Sequence, residues 1–262
     1  MIRWRRTAAT GPPRREDSLL IARWLLLAGL LTASPALAQD GPSACPFRDG
    51  ALPPAIALPA SKQAVLQRQK LVLMAMDGAP MAISSIADAT QTYPARLQAH
   101  LTRLLPGIEV VLANRAQPNR SARSMARRLA EDVAALRPDL VIWASGGREA
   151  MRNTDIGAYA GVLEAGIAAT RAAGADVVLV GTQFAPGWAA IPNIEAYRDV
   201  IRIVGELTGV PVFPRFELMR DWHEAGVLNL QAADHPAQVA AAHQLFDCVG
   251  DGLARMIQGG MR

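Results

Sequence analysis

The chain has 262 residues, 51% of them apolar, with 27 basic and 23 acidic side chains and only two cysteines. That length carries one sizeable core, or a domain plus a small appendage, and the composition excludes a low-complexity chain. The net charge of +4 belongs to the first 38 residues, which hold six arginines and two acids; without them basic and acidic residues balance, so nothing supports a nucleic-acid-binding face on the remainder.

In residues 1–38, basic residues precede the apolar run Trp24–Leu31, and Ala36–Ala38 supplies small residues before Gln39. This is the pattern of an export signal cleaved near Ala38. The run is far shorter than the ~20 residues that span a bilayer, so no stable membrane insertion is expected after cleavage. Arg14-Arg15 hints at the twin-arginine route, in a poorly matching context. Export predicts a periplasmic or secreted protein, in a compartment where disulfides persist. A Cys45–Cys248 bridge is expected to tie the N-terminal segment to the last helix, with two free buried cysteines as the alternative. Closing so long a loop would stabilise the fold by ~3–5 kcal/mol. Two cysteines are too few for a metal site, and neither a metal nor another cofactor is expected.

Residues 39–69 begin Pro-rich ("GALPPAIALPAS") and turn helical towards Lys70, and 70–262 read as one domain. Apolar, β-branched runs recur at Leu71–Met76, Glu109–Ala113, Leu140–Ala144, Asp176–Gly181 and Val210–Phe213. Stretches with helical periodicity lie between them at Tyr93–Leu105, Ser124–Leu136, Ile156–Ala173 and Ile194–Leu207, and a last helix falls near Ala237–Ile257. Continuous apolar strands alternating with amphipathic helices predict an α/β/α sandwich around a parallel sheet covered on both faces. Ligands of such sheets sit beyond the carboxyl ends of the strands. The loops after Met76, Ala113, Ala144, Gly181 and Phe213 are therefore the ones to search.

No Gly-x-Gly-x-x-Gly or Walker loop follows the first strand, which leaves nucleotide binding without a motif. Of four histidines, His100 and His243 fall inside helices and His223 in a short helical stretch, where packing or surface roles are the rule. His235 differs, because "ADHPAQ" places it in the loop before the last helix, with Pro236 opening that helix. The turn "MDGAP" (Met76–Pro80) has the strand-to-loop form of a nucleophile-bearing junction, yet offers no Ser, Cys or Thr.

The order and spacing of "LVLMAMDGAPMA", "YPARL", "RPDLVIWASGG", "AGADVVLVG", "VPVFPRF" and "ADHPAQ" resemble the SGNH/GDSL hydrolase family from about Lys70 to Val249, in particular its exported proteobacterial members. The resemblance implies a three-layer, flavodoxin-like fold with a five-stranded parallel sheet. It also implies a Ser nucleophile after the first strand, a Gly after the second and an Asn after the third to hold the oxyanion, and an Asp-x-x-His pair as orienter and base. Matched block by block, the Ser position falls on Ala79, the Gly on or near Asn119, the Asn on Arg148 and the Asp on Ala232; His235 alone is retained.

A methyl group cannot form an acyl-enzyme, and losing the nucleophile of such a machine costs on the order of 10⁶ in kcat. Asn119 could still present its N–H, since Asn tolerates the left-handed backbone. Asp234 is adjacent to His235 as a substitute orienter, whereas Ser84 and Ser85 lie too far past the turn to replace the nucleophile. The expectation is a disarmed ester-hydrolase site. Arg148, with Arg120 and Arg123, Asp77 and His235 around it, would suit a small anionic or acylated ligand, such as a saccharide of the envelope. Against this stands a cleft merely plugged by an Arg148 ion pair with Asp77 or Glu149. An active ester hydrolase with an altered site and a structural or interaction protein are the other classes, and no oligomeric state is implied.

Overall fold

The computed structural model describes residues 45–78, 91–187, 191 and 193–262, all within one compact unit spanning residues 40–262. Five parallel strands, β1 (Lys70–Asp77), β2 (Glu109–Asn114), β3 (Leu140–Ala144), β4 (Asp176–Val180) and β5 (Val212–Phe213), form one sheet in the order β2-β1-β3-β4-β5. Among the described residues eight helices accompany them: α1 (Pro59–Arg68), α2 (Tyr93–Leu104), α3 (Ala122–Leu136), α4 (Gly147–Met151), α5 (Ile156–Ala172), α6 (Ile194–Thr208), α7 (Arg215–Glu224) and α8 (His235–Gly260). The three-layer α/β/α architecture expected from the strand and helix pattern is the one observed.

Strand alternation divides the core into two halves. Leu71 and Leu73 of β1 join Leu140, Ile142, Val178 and Phe213 beneath α2, α7 and α8. Met74 and Met76 join Val141, Trp143, Val177 and Leu179 beneath α3, α5 and α6. Gly166 of α5 lets Trp143 lie flat, since a Cβ there would stand 2.4 Å from the indole. At the amino end of the sheet, the buried Ser61 of α1 donates to Asp176 Oδ2 at 2.8 Å from both its backbone and its hydroxyl. Asp139 there accepts from Val72 N and pairs with Arg68.

Cys45 and Cys248 are bonded, closing a ring across 203 positions. The N-terminal segment is further held by Trp222, whose Nε1 donates to Pro46 O at 2.9 Å while its ring stacks edge-on against Phe47. Leu58 N donates to Gly260 O, so the segment before α1 runs beside the end of α8. Among the described residues no helix is long and apolar enough to cross a membrane.

Candidate active site at the carboxyl end of the sheet

The strand order reverses between β1 and β3, so the loops leaving these two strands diverge and open a crevice between them. Asp77 and Gly78 enter it from β1, Ser145 to Glu149 from β3. Gly78 is required by contact: a Cβ would stand 2.1 Å from the carbonyl oxygen of Arg120, which crosses directly over it. The β2–α3 loop is held there by Gln117 N donating to Asp77 O at 2.9 Å. Ser121 then caps α3 by accepting from Ser124 N.

Glu149 fastens the other side. Its carboxylate is 2% exposed and accepts from Ala122 N at 2.6 Å and from Gly146 N at 2.9 Å, joining the start of α3 to the end of β3. Gly146 has φ 100°, a left-handed backbone, and a Cβ on it would stand 2.7 Å from Thr182 Cγ2. The backbone is thereby turned so that Arg148 follows at the strand end. Ser145 bonds the buried Tyr159 hydroxyl at 2.9 Å, and burial raises that phenol far above its ordinary pKa.

A cavity of about 280 Å³ opens on the α2/α8 side of this crevice. Asp77 continues the parity of Leu71 and Leu73 and so faces this side. Its Oδ2 lies 3.2 Å from Arg215 Nη1, and both side chains are almost wholly buried. Arg215, at the first position of α7, also donates from Nε to Gly181 O at 2.8 Å. The Tyr93 ring lies 5.9 Å from the same guanidinium. Burial, and secondarily the Asp77 carboxylate, lift the Tyr93 phenol well above its ordinary pKa. The rest of the wall is mainly apolar and includes Ala232, Leu245 and Phe246.

A much smaller notch, about 10 Å³, adjoins it between the ends of β1 and β3, lined by Gly78, Arg120, Arg148 and Glu149; Gln183 and Arg215 line both spaces. Arg148 makes neither of the ion pairs considered for it. Asp77 is matched with Arg215 and Glu149 with backbone N–H groups, while the Arg148 Nε is buried without a hydrogen-bond partner.

The other residues singled out in the sequence are dispersed. Ala79, Ser84 and Ser85 lie outside the described residues. Asn119 has φ 65°, the left-handed backbone that Asn tolerates, and is exposed beside Arg120. Arg123 is exposed in the first turn of α3. Ala232 reaches the cavity. His235 starts α8, exposed, and is not among the residues lining the cavity or the notch. Asp234 is its N-cap, accepting from Ala237 N at 2.9 Å, which is a helix-capping role. Sequence reasoning missed Arg215 and Tyr93, and named Glu149 as an ion-pair partner of Arg148 where it instead holds backbone N–H groups. The loop after Phe213 was among those to search, but only the fold brings Arg215 to Asp77. Among the described residues no group of three or more acidic, His or Cys side chains could hold a metal.

A parallel five-stranded α/β/α sandwich with its crevice at this switch point is the architecture of SGNH/GDSL-type hydrolases, and solved structures of that class match it. The chain is similar to TesA (23% identity, 71% of this chain and 99% of that one, TM-score 0.55) and to the lipase/acylhydrolase from Enterococcus faecalis (19%, 72% and 95%, 0.54). It is also similar to a catalytic mutant of Axe2, an acetylxylan esterase from Geobacillus stearothermophilus (18%, 72% and 93%, 0.55). More specifically, the chain belongs to the non-GDSL lipase-like family, whose model matches residues 44–262. Among curated proteins none matches it.

Proposed function

We propose that this member of an esterase-like family has lost the nucleophile of its ester-hydrolase site and serves, after export to the periplasm or beyond, to bind a small anionic or acylated ligand, such as a substituted saccharide. The observation that carries the reading is Arg148, which lines the notch between β1 and β3 and whose Nε is buried without a hydrogen-bond partner. A site built for catalysis by His235 needs that imidazole oriented towards the cleft by a carboxylate. Here the residue matched to that carboxylate is Ala232, and Asp234 is engaged with Ala237 N.

The test is a p-nitrophenyl ester assay on the purified protein beside an Ala79→Ser, Ala232→Asp double variant. Activity gained only by the variant supports the reading, and comparable turnover by the unaltered protein refutes it. Binding is checked separately by thermal shift with acetate, phosphate, sulfate and acidic sugars. Stabilisation by an anion that disappears in Arg148→Ala is expected. The second reading, an active ester hydrolase with an altered site, draws on the lipase and esterase neighbours. It predicts ester turnover abolished in His235→Ala.

A further inference from the structure

Between Glu109 and Glu131 the chain carries Arg115, Arg120, Arg123, Arg127 and Arg128 and no acidic residue, although the chain beyond residue 38 is neutral as a whole. Helix α3 turns Ala122, Met125, Leu129 and Val133 inward, which leaves Arg123 and Arg127, one turn apart, on its solvent face. Arg128 is exposed beside them, and Arg120 just before the helix. The exposed Arg152 directly follows α4, which Glu149 holds against the start of α3 through Ala122 N. Among the described residues none of Arg120, Arg123, Arg127, Arg128 and Arg152 is matched to a carboxylate. Arg115 is matched to Asp132, and every arginine of α6 and α7 has an acidic partner. The acids nearest the patch are engaged with backbone: Glu149 accepts from Ala122 N and Gly146 N, and Asp155 caps α5 by accepting from Ala158 N. Two large apolar side chains are exposed on either side of Arg152 in the chain, Met151 at 44% and Ile156 at 38%.

We propose that this patch docks the protein peripherally on an anionic phospholipid surface. The arginines meet the headgroup phosphates, which supply the acceptors that no carboxylate of the chain gives them. Met151 and Ile156 enter the boundary beneath the headgroups, where an apolar side chain leaves water. Those two side chains select lipid over a soluble polyanion, which would need the arginines alone. Single-stranded nucleic acid is disfavoured, because no aromatic side chain is exposed among the described residues to stack a base. Arg120 belongs both to the patch and to the lining of the notch, so docking sets the mouth of the crevice beside the bilayer. The inference holds whether or not the site turns over an ester.

Sedimentation with vesicles of phosphatidylcholine mixed with phosphatidylglycerol, and with vesicles of phosphatidylcholine alone, tests this. It is run on the full chain and on the form starting at Gln39 that signal cleavage would leave, which separates the patch from the arginines of residues 1–38. The shorter form should bind the mixed vesicles and not the neutral ones, and added salt should release it. Arg123→Gln and Arg127→Gln should each weaken binding about fivefold, and Arg127→Lys should keep it. The double change Arg202→Gln, Arg220→Gln removes as much charge from matched arginines on other helices and should leave binding unchanged. Met151→Ser with Ile156→Ser should weaken binding about tenfold. Melting temperatures equal to the wild type's identify each loss as a loss of contact. Sedimentation with neither vesicle, equal sedimentation with both, or an equal loss in the Arg202, Arg220 variant would overturn the proposal. Displacement by soluble polyglutamate, with the Met151 and Ile156 changes without effect, would overturn the lipid surface in favour of a soluble polyanion.

Discussion

Removing either member of the Asp77–Arg215 pair should destabilise the fold more than almost any other single polar substitution. The two charges lie 3.2 Å apart and are nearly buried, at 9% and 5% exposure. At an effective dielectric of about 20 they attract by about 5 kcal/mol, a gain set against the desolvation of both. Arg215→Met leaves an uncompensated carboxylate and strips Gly181 O of its donor. Asp77→Leu strands a guanidinium among apolar side chains. Each single change should cost about 3–5 kcal/mol, a large fraction of a typical domain's 5–15 kcal/mol. The double replacement puts apolar groups of similar volume in place of both charges and should cost less than either single change. Urea unfolding of the wild type, the two single variants and the double variant completes the thermodynamic cycle, with constant m-values as the check on two-state behaviour. A double variant whose loss equals the sum of the single losses would refute the coupling, and single losses below about 1 kcal/mol would refute the burial argument.

Two further outcomes follow from groups already placed. The Tyr93 and Tyr159 phenols are raised above the ordinary 10.0 by burial, so the unfolded chain releases their protons first. Their contribution is complete below pH 10 and is lost as pH rises beyond it, at about 1.4 kcal/mol per pH unit for each; urea unfolding under alkaline conditions should show the decline, and Tyr159→Phe should make its slope shallower. Gly78→Ala forces a Cβ into the Arg120 carbonyl and should cost several kcal/mol or block folding, whereas Gly161→Ala, in the open middle of α5, should gain about 0.5–1 kcal/mol by thermal unfolding.

Much of this architecture is legible because its signals are local. The run Leu71–Met76 is one residue short of β1 at either end, and Leu140–Ala144 coincides with β3. The last strand was read from Val210 but pairs only at Val212–Phe213, after Pro211, which has no N–H to give the ladder. The last helix begins at His235, two residues before the Ala237 read from periodicity, because Asp234 caps it and Pro236 fits its first turn. Helix α4 was not anticipated. Five residues are too few for a periodic pattern, and it is held by the Glu149 carboxylate on backbone N–H groups.

The site was less legible than the fold, for a physical reason. Motif matching finds residues by where they stand in the chain, as it finds Arg148 just past the end of β3. It cannot find pairs that the topology assembles. Asp77 and Arg215 are 138 positions apart and meet because β1 and the start of α7 open on the same side of the sheet. The plug considered for Arg148 fails on the same ground, since the acids near it are engaged elsewhere.

The Cys45–Cys248 link has a consequence for cleavage. All five strands, and every loop leaving their carboxyl ends, lie inside the covalent ring that it closes. A protease cutting once in any of those loops would linearise the ring without releasing a fragment. The nicked molecule would run as two pieces only after reduction, and its halves would keep finding each other as a single molecule does.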